Sequence, residues 1–198
     1  MNQGWLVGAC ALVIGLSGCG RDQGEWAGFP VDLYAGPEIT QDSAKLSDFQ
    51  AAMQFWEKRA GQKLFNFQGE WKGGSPFAGA VQNVEAISAN VIFYQSPWPF
   101  SSTVAGQTTA FQKEGLVQSA IIMINPEMHF CSGACALQPE TTSLRNTYGH
   151  ELGHFIGMNH VMDESNMMNP TVIKTTDLNL VKVDSNALKN ILSRQPTN

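Results

Sequence analysis

His150-Glu151-Leu152-Gly153-His154-Phe155-Ile156-Gly157-Met158-Asn159-His160 holds three of the chain's four histidines within eleven residues. Histidines at i and i+4 leave an α-helix on one face, so two imidazoles can reach a single Zn²⁺ with Zn–N distances of about 2.0–2.1 Å. Glu151, one step round the helix, addresses a water on the metal rather than the metal itself. A third ligand cannot come from the same face, so the helix has to stop and the chain has to turn back. Gly157 tolerates the positive φ that such a stop often demands, and His160 is then within reach. Three neutral imidazoles leave a dipositive ion with one open position, the arrangement of a catalytic rather than a structural site. Given four His, ten Glu and 19 Gly in 198 residues, a chance match to this spacing has a probability on the order of 1 in 100,000.

Outward from this stretch, residues 141–157 have the length and pattern of one helix. Leu144, Tyr148, Leu152, Phe155 and Ile156 fall on a core side, with His150 and His154 roughly opposite. Upstream, residues 29–34 alternate as a strand does, and Ala35-Gly36-Pro37 closes them with a turn signal. Residues 47–60 repeat apolar side chains at helical spacing, with Ser47 as N-cap and Gly61 as stop. Residues 63–67 and 90–94 are short β-prone runs. Residues 108–112 and 116–125 flank Lys113-Glu114-Gly115 as a hairpin. Residues 185–193 form a last helix, packed through Ala187, Leu188, Ile191 and Leu192. Strand, helix, several strands, long helix, loop and helix in that order predict an α+β domain.

The H-E-x-x-H-x-x-G-x-x-H pattern resembles that of the metzincin metallopeptidases. Asn166-Met167-Met168-Asn169-Pro170 is similar to the methionine-containing turn that lies beneath the metal in that family, with Met168, by its position before Pro170, as the matching residue. The resemblance covers the chain from about Phe29 to the C-terminus. It implies a zincin-like fold, a twisted mixed sheet with an active-site helix beneath it and a cleft along an edge strand. It further implies a zinc-dependent endopeptidase that hydrolyses peptide bonds through a metal-activated water, with one catalytic Zn²⁺ on His150, His154 and His160 and Glu151 as general base. No Tyr follows Met168 within two residues, which argues against the astacin-like and serralysin-like branches. The Asp- and Gly-rich loops of animal matrixins are not evident either, so a compact bacterial, matrixin-like peptidase is the nearest description. The 108–125 hairpin is the expected source of the substrate edge, without indicating which of its strands lies outermost.

The N-terminal segment reads as an address. Residues 5–18 are apolar and uncharged, too short for a comfortable membrane span and suited to a secretory signal. Leu16-Ser17-Gly18-Cys19 resembles the lipobox of bacterial lipoproteins. The implied organisation is a signal peptide over residues 1–18, lipidated Cys19, a tether over residues 19–28 and a catalytic domain over residues 29–198. Gly20, rather than Asp, follows the cysteine, which implies the outer membrane if the source is Gram-negative.

Cys131 and Cys135 need a separate reading. A second metal site and a thiolate blocking the zinc are conceivable, but an exported chain favours a local disulfide. His129, nearby, reads as structural before it reads as a substrate contact. The formal net charge of −5 offers no basic stripe to a phosphate backbone, so nucleic acid is not an expected partner. The expected partners are a protein or peptide substrate and, through the lipid, a membrane; a monomer is expected. Two alternatives stay open: a catalytically silent surface binding protein on the same fold, and a site in which Glu164 replaces His160 as ligand.

Overall fold

In a computed structural model of the chain, the described residues are 7–8, 24–73, 89–133, 135–171, 173 and 175–194. Cys19, the rest of the expected signal segment outside Val7 and Gly8, and residues 20–23 of the expected tether lie outside them.

The β-branched and aromatic runs become the sheet. Its strands are β1 (Val7–Gly8), β2 (Val31–Ala35), β3 (Phe65–Glu70), β4 (Val91–Tyr94), β5 (Gly106–Lys113) and β6 (Leu116–Ile124), in the spatial order β1-β5-β6-β4-β2-β3. Strands β3, β2, β4 and β6 run parallel, while β5 returns antiparallel to β6 through the turn at Glu114 and Gly115, both with positive φ. A buried sheet face is what near-continuous apolar runs such as Val91–Tyr94 and the second half of β6 require. A short pair, β7 (Phe130–Cys131) and β8 (Thr142–Ser143), lies in the connection that leads to the long helix.

Among the described residues, four α-helices accompany the strands: α1 (Pro37–Thr40), α2 (Ser43–Ala60), α3 (Leu144–Phe155) and α4 (Ser185–Ser193). Helix α2 begins four residues before the sequence suggested. Its N-cap is Asp42, whose carboxylate accepts from the amides of Ala44 and Lys45 at 3.0 and 3.1 Å. The first turn presents no apolar stripe, so periodicity alone starts the helix late; the cap decides otherwise. Helix α3 likewise starts at Leu144 rather than 141, because Thr142 and Ser143 are engaged in β8 and the Ser143 hydroxyl caps the Asn146 amide at 3.3 Å. Helix α4 spans the residues expected, capped by Asp184.

The principal core lies between the sheet and the helices, with Trp56, Tyr148, Phe49, Leu33, Ile92, Ile122 and Leu152 fully buried. Helix α2 is fastened to α3 by the Trp56 indole, which donates to the Gly149 carbonyl at 2.7 Å. Asp48, buried on α2, accepts two bonds from the Arg145 guanidinium (2.8 and 2.7 Å), one from Ser132 Oγ (3.0 Å) and one from the Gly133 amide (2.8 Å). One carboxylate thus ties the loop after β7 and the first turn of α3 to a single point.

The fold begins earlier than the expected boundary at Phe29. Glu25 pairs with the β5–β6 turn through Glu25 N to Gly115 O (3.0 Å) and Val117 N to Glu25 O (2.9 Å). Trp26 is buried against Phe155 and donates its indole N–H to the Phe155 carbonyl at 2.6 Å. Polar, glycine-containing composition suggested a free tether through residue 28, but one tryptophan with a buried partner for its N–H is enough to dock the segment.

Candidate metal centre and active site

Helix α3 places His150 and His154 one turn apart, and it ends as their geometry requires. Ile156 closes the helix, Gly157 follows at φ 102°, and the Met158 amide returns to the Gly153 carbonyl at 2.8 Å. His160 comes back over the open side of the helix. The three Nε2 atoms then stand 3.1 Å (His150 to His154), 3.0 Å (His154 to His160) and 3.2 Å (His150 to His160) apart.

Two of those atoms are identified by the other nitrogen of their ring. His150 Nδ1 lies 2.9 Å from the Met167 carbonyl and His154 Nδ1 lies 2.9 Å from the Met158 carbonyl. A carbonyl only accepts, so each Nδ1 carries the proton and each Nε2 presents a lone pair to the centre. Lone pairs that converge at this range repel unless a cation lies between them. A tetrahedral ion with Zn–N of about 2.0–2.1 Å requires nitrogens about 3.3–3.4 Å apart, within a few tenths of an ångström of those found. The residues therefore fit a zinc ion. Burial also holds the imidazoles neutral: His150 is pushed down to about 4 by desolvation, His154 is driven well below its ordinary value by desolvation and then by its histidine neighbours, and His160 is lowered by desolvation. Neutral imidazole is the form that binds metal.

Beneath the histidines, the Met-turn packs on the glycines of α3. A Cβ on Gly153 would lie 2.2 Å from Met168 Sδ and 2.7 Å from Trp56 Cζ2, and one on Gly149 would lie 2.7 Å from Met167 Cε. At Gly153, where the rigid Trp56 ring closes the space as well, only glycine permits that approach. Asn166 shapes the turn by accepting the Met168 amide on its side chain (2.9 Å) and the Asn169 amide on its carbonyl (3.0 Å). Met168 is fully buried.

Glu151 is buried beside the triad, and its Oε2 accepts from Thr108 Oγ1 at 2.7 Å. Burial pushes its carboxyl up to about 7 in the metal-free protein, while the Thr108 bond pulls the other way. Sequence reasoning missed Thr108 as a partner; it lies 43 positions upstream, and no local pattern connects the two.

A model of the matrixin family matches residues 38–193. The chain belongs to the matrixin family. No curated protein matches it. As a member of that zinc-dependent peptidase family, this matrixin has the α+β fold and the closely set histidine triad that its motif led one to expect. Among the described residues, His150, His154 and His160 form the one cluster of potential metal ligands. Glu164 is exposed and outside it, so the arrangement favours His160 as third ligand. Cys131 and Cys135 are joined as a disulfide, with Cα atoms 5.7 Å apart, and offer no thiolate to a metal. His129 is exposed in the approach to β7, where its carbonyl accepts from the Thr142 amide at 3.0 Å; it is not among the clustered ligands.

Proposed function

We propose that this matrixin is a zinc-dependent endopeptidase, exported as a monomer and held to a bacterial membrane by lipid on Cys19. The observation that carries the catalytic part is the convergence of three Nε2 atoms within 3.0–3.2 Å beside a buried carboxylate. His150, His154 and His160 would hold the ion. Bound there, zinc supplies a Lewis acid that acidifies a water, polarises the scissile carbonyl and stabilises the charge that develops on its oxygen.

The chain's own groups do the rest. The Met167 and Met158 carbonyls orient the His150 and His154 rings, so the ligand set is preorganised rather than assembled on binding. Glu151 takes a proton from the attacking water and returns it to the departing amine.

An extended peptide would lie along the outer edge of β5. Val7 and Gly8 pair antiparallel with Phe111 and Ala110 on that edge, which supports the view that it accepts an added strand. On the lipoprotein reading those two residues leave with the signal peptide, and the edge is free in the mature chain. The docking of Gly24 to Trp26 then limits the tether. Five residue steps from Cys19 to Gly24 reach at most about 18 Å, so the domain would work close to the lipid surface. Without such an anchor the same chemistry would serve a soluble peptidase.

The test uses purified residues 20–198. The expected result is about one zinc per chain and cleavage of an unstructured protein such as casein, lost on chelation and restored by zinc alone. Stoichiometric zinc with no cleavage of casein or a peptide library, under reducing and oxidising conditions, would support a catalytically silent binding protein instead.

A further inference from the structure

Strand β5 does more than offer an edge. Its first and third residues, Gly106 and Thr108, project to the same face of the strand, as the period of two dictates, and that face meets Glu151. Thr108 Oγ1 stands 2.7 Å from Glu151 Oε2 and 3.1 Å from the Glu151 main-chain oxygen. One hydroxyl therefore bridges the base of this side chain to its tip. On the other side, a Cβ at Gly106 would lie 2.8 Å from Glu151 Cγ and 2.9 Å from Glu151 Oε1, so the carboxylate rests directly on the glycine backbone. Glu151 is a long, flexible side chain. Its three rotatable bonds would otherwise let the carboxylate swing away from the metal side, at a cost in reactive geometry.

We propose that Gly106 and Thr108 form a seat that sets the rotamer of Glu151, making both positioning residues for the peptidase chemistry. The hydroxyl engages Oε2, which leaves Oε1 as the oxygen able to face the reacting water. Because the seat belongs to the strand along which the substrate would lie, one element aligns the peptide and the base together. The inference rests on the peptidase reading for its catalytic consequence, but the seat itself can be tested without it.

Thr108→Val keeps the shape and removes the hydroxyl; Thr108→Ser keeps the hydroxyl. Crystal structures of the metal-free parent and both variants read the Glu151 side chain directly. Zinc content and thermal stability are read beside kcat and KM. The expected result is a displaced Glu151 carboxylate in the Val variant, parental zinc content and KM, and kcat lower by about 10- to 100-fold, the size expected of a misplaced catalytic group. Thr108→Ser should restore both the rotamer and kcat. A Glu151 carboxylate unmoved in Thr108→Val overturns the seat, as does equal impairment of the Ser and Val variants. Parental kcat in the Val variant overturns its catalytic role. If the parent itself hydrolyses nothing, the peptidase reading fails while the crystal structures still decide the seat. Should Thr108→Val fail to fold, Gly106→Ala displaces the same carboxylate from its other side, and an unmoved Glu151 there overturns the proposal equally.

Discussion

Adding one methyl group at Gly153 should unsettle the metal centre from below, whereas the same change at Gly149 should be nearly harmless. The Gly153 Cβ would meet Met168 Sδ at 2.2 Å and Trp56 Cζ2 at 2.7 Å. The methionine end alone could shift, but the ring cannot retreat: Trp56 is rigid and fully buried, and its indole is held by the Gly149 carbonyl. Overpacking of this kind costs about 1–3 kcal/mol, and two contacts this short belong at the upper end. Replacing glycine by alanine inside a helix returns about 0.5–1 kcal/mol. The net loss for Gly153→Ala is then about 2 kcal/mol, or a fall in Tm of about 4–8 °C for a domain of this size. At Gly149 the Cβ meets Met167, most closely its Cε and Sδ at the far end of a flexible side chain, so the propensity gain roughly offsets the contact. Thermal unfolding of the metal-free proteins separates the two effects without a contribution from bound ion. A Gly153→Ala variant as stable as the parent, or a Gly149→Ala variant that is the worse of the two, would refute the packing argument.

Three further outcomes follow from the same geometry. Glu151→Gln should stabilise the metal-free protein above pH 7, by an amount of order 3 kcal/mol for a carboxyl raised from 4.5 to about 7. A raised folded-state value means that the burial penalty grows as pH climbs from the unfolded value to the folded one, so the advantage should fade below about pH 4.5 in a pH series of urea melts. His160→Ala should weaken zinc retention sharply while Glu164→Ala leaves it unchanged, read by metal content after dialysis. Cys19→Ser should move the protein out of the membrane fraction, because lipid on that residue is the proposed attachment; continued dependence on detergent would favour an uncleaved helix.

The sequence exposes what is local and hides what is distant. Three histidines at fixed spacing, the stop at Gly157 and the methionine before Pro170 all act within about twenty residues, so their geometry can be worked out from helix parameters alone. Hydrophobic period placed α4 correctly and started α2 late, because Asp42 acts through a cap hydrogen bond rather than through a stripe. Trp26 escaped for a different reason. Its docking depends on a carbonyl at the far end of α3, 129 positions away. The same holds for Thr108 and Glu151, and for Asp48 with Arg145. Such pairs bear no signal in one sequence, since either residue alone reads as ordinary strand or helix surface. Which strand of the hairpin lies further out was equally hidden, because both are β-prone; the sheet order places β5 outside β6, with the two-residue β1 beyond it.

The central claim, that a buried carboxylate beside a three-histidine zinc site does base chemistry, is tested most directly by Glu151→Ala, with zinc content and casein hydrolysis measured on the same preparation. The three Nε2 atoms and their carbonyl partners do not involve the Glu151 side chain, so zinc should remain at about one per chain. Hydrolysis should fall by about 10²–10⁴-fold, the usual worth of a general base. Parental hydrolysis in the variant would contradict the role given to Glu151, and loss of zinc along with activity would mean that the carboxylate belongs to the metal site rather than to the water.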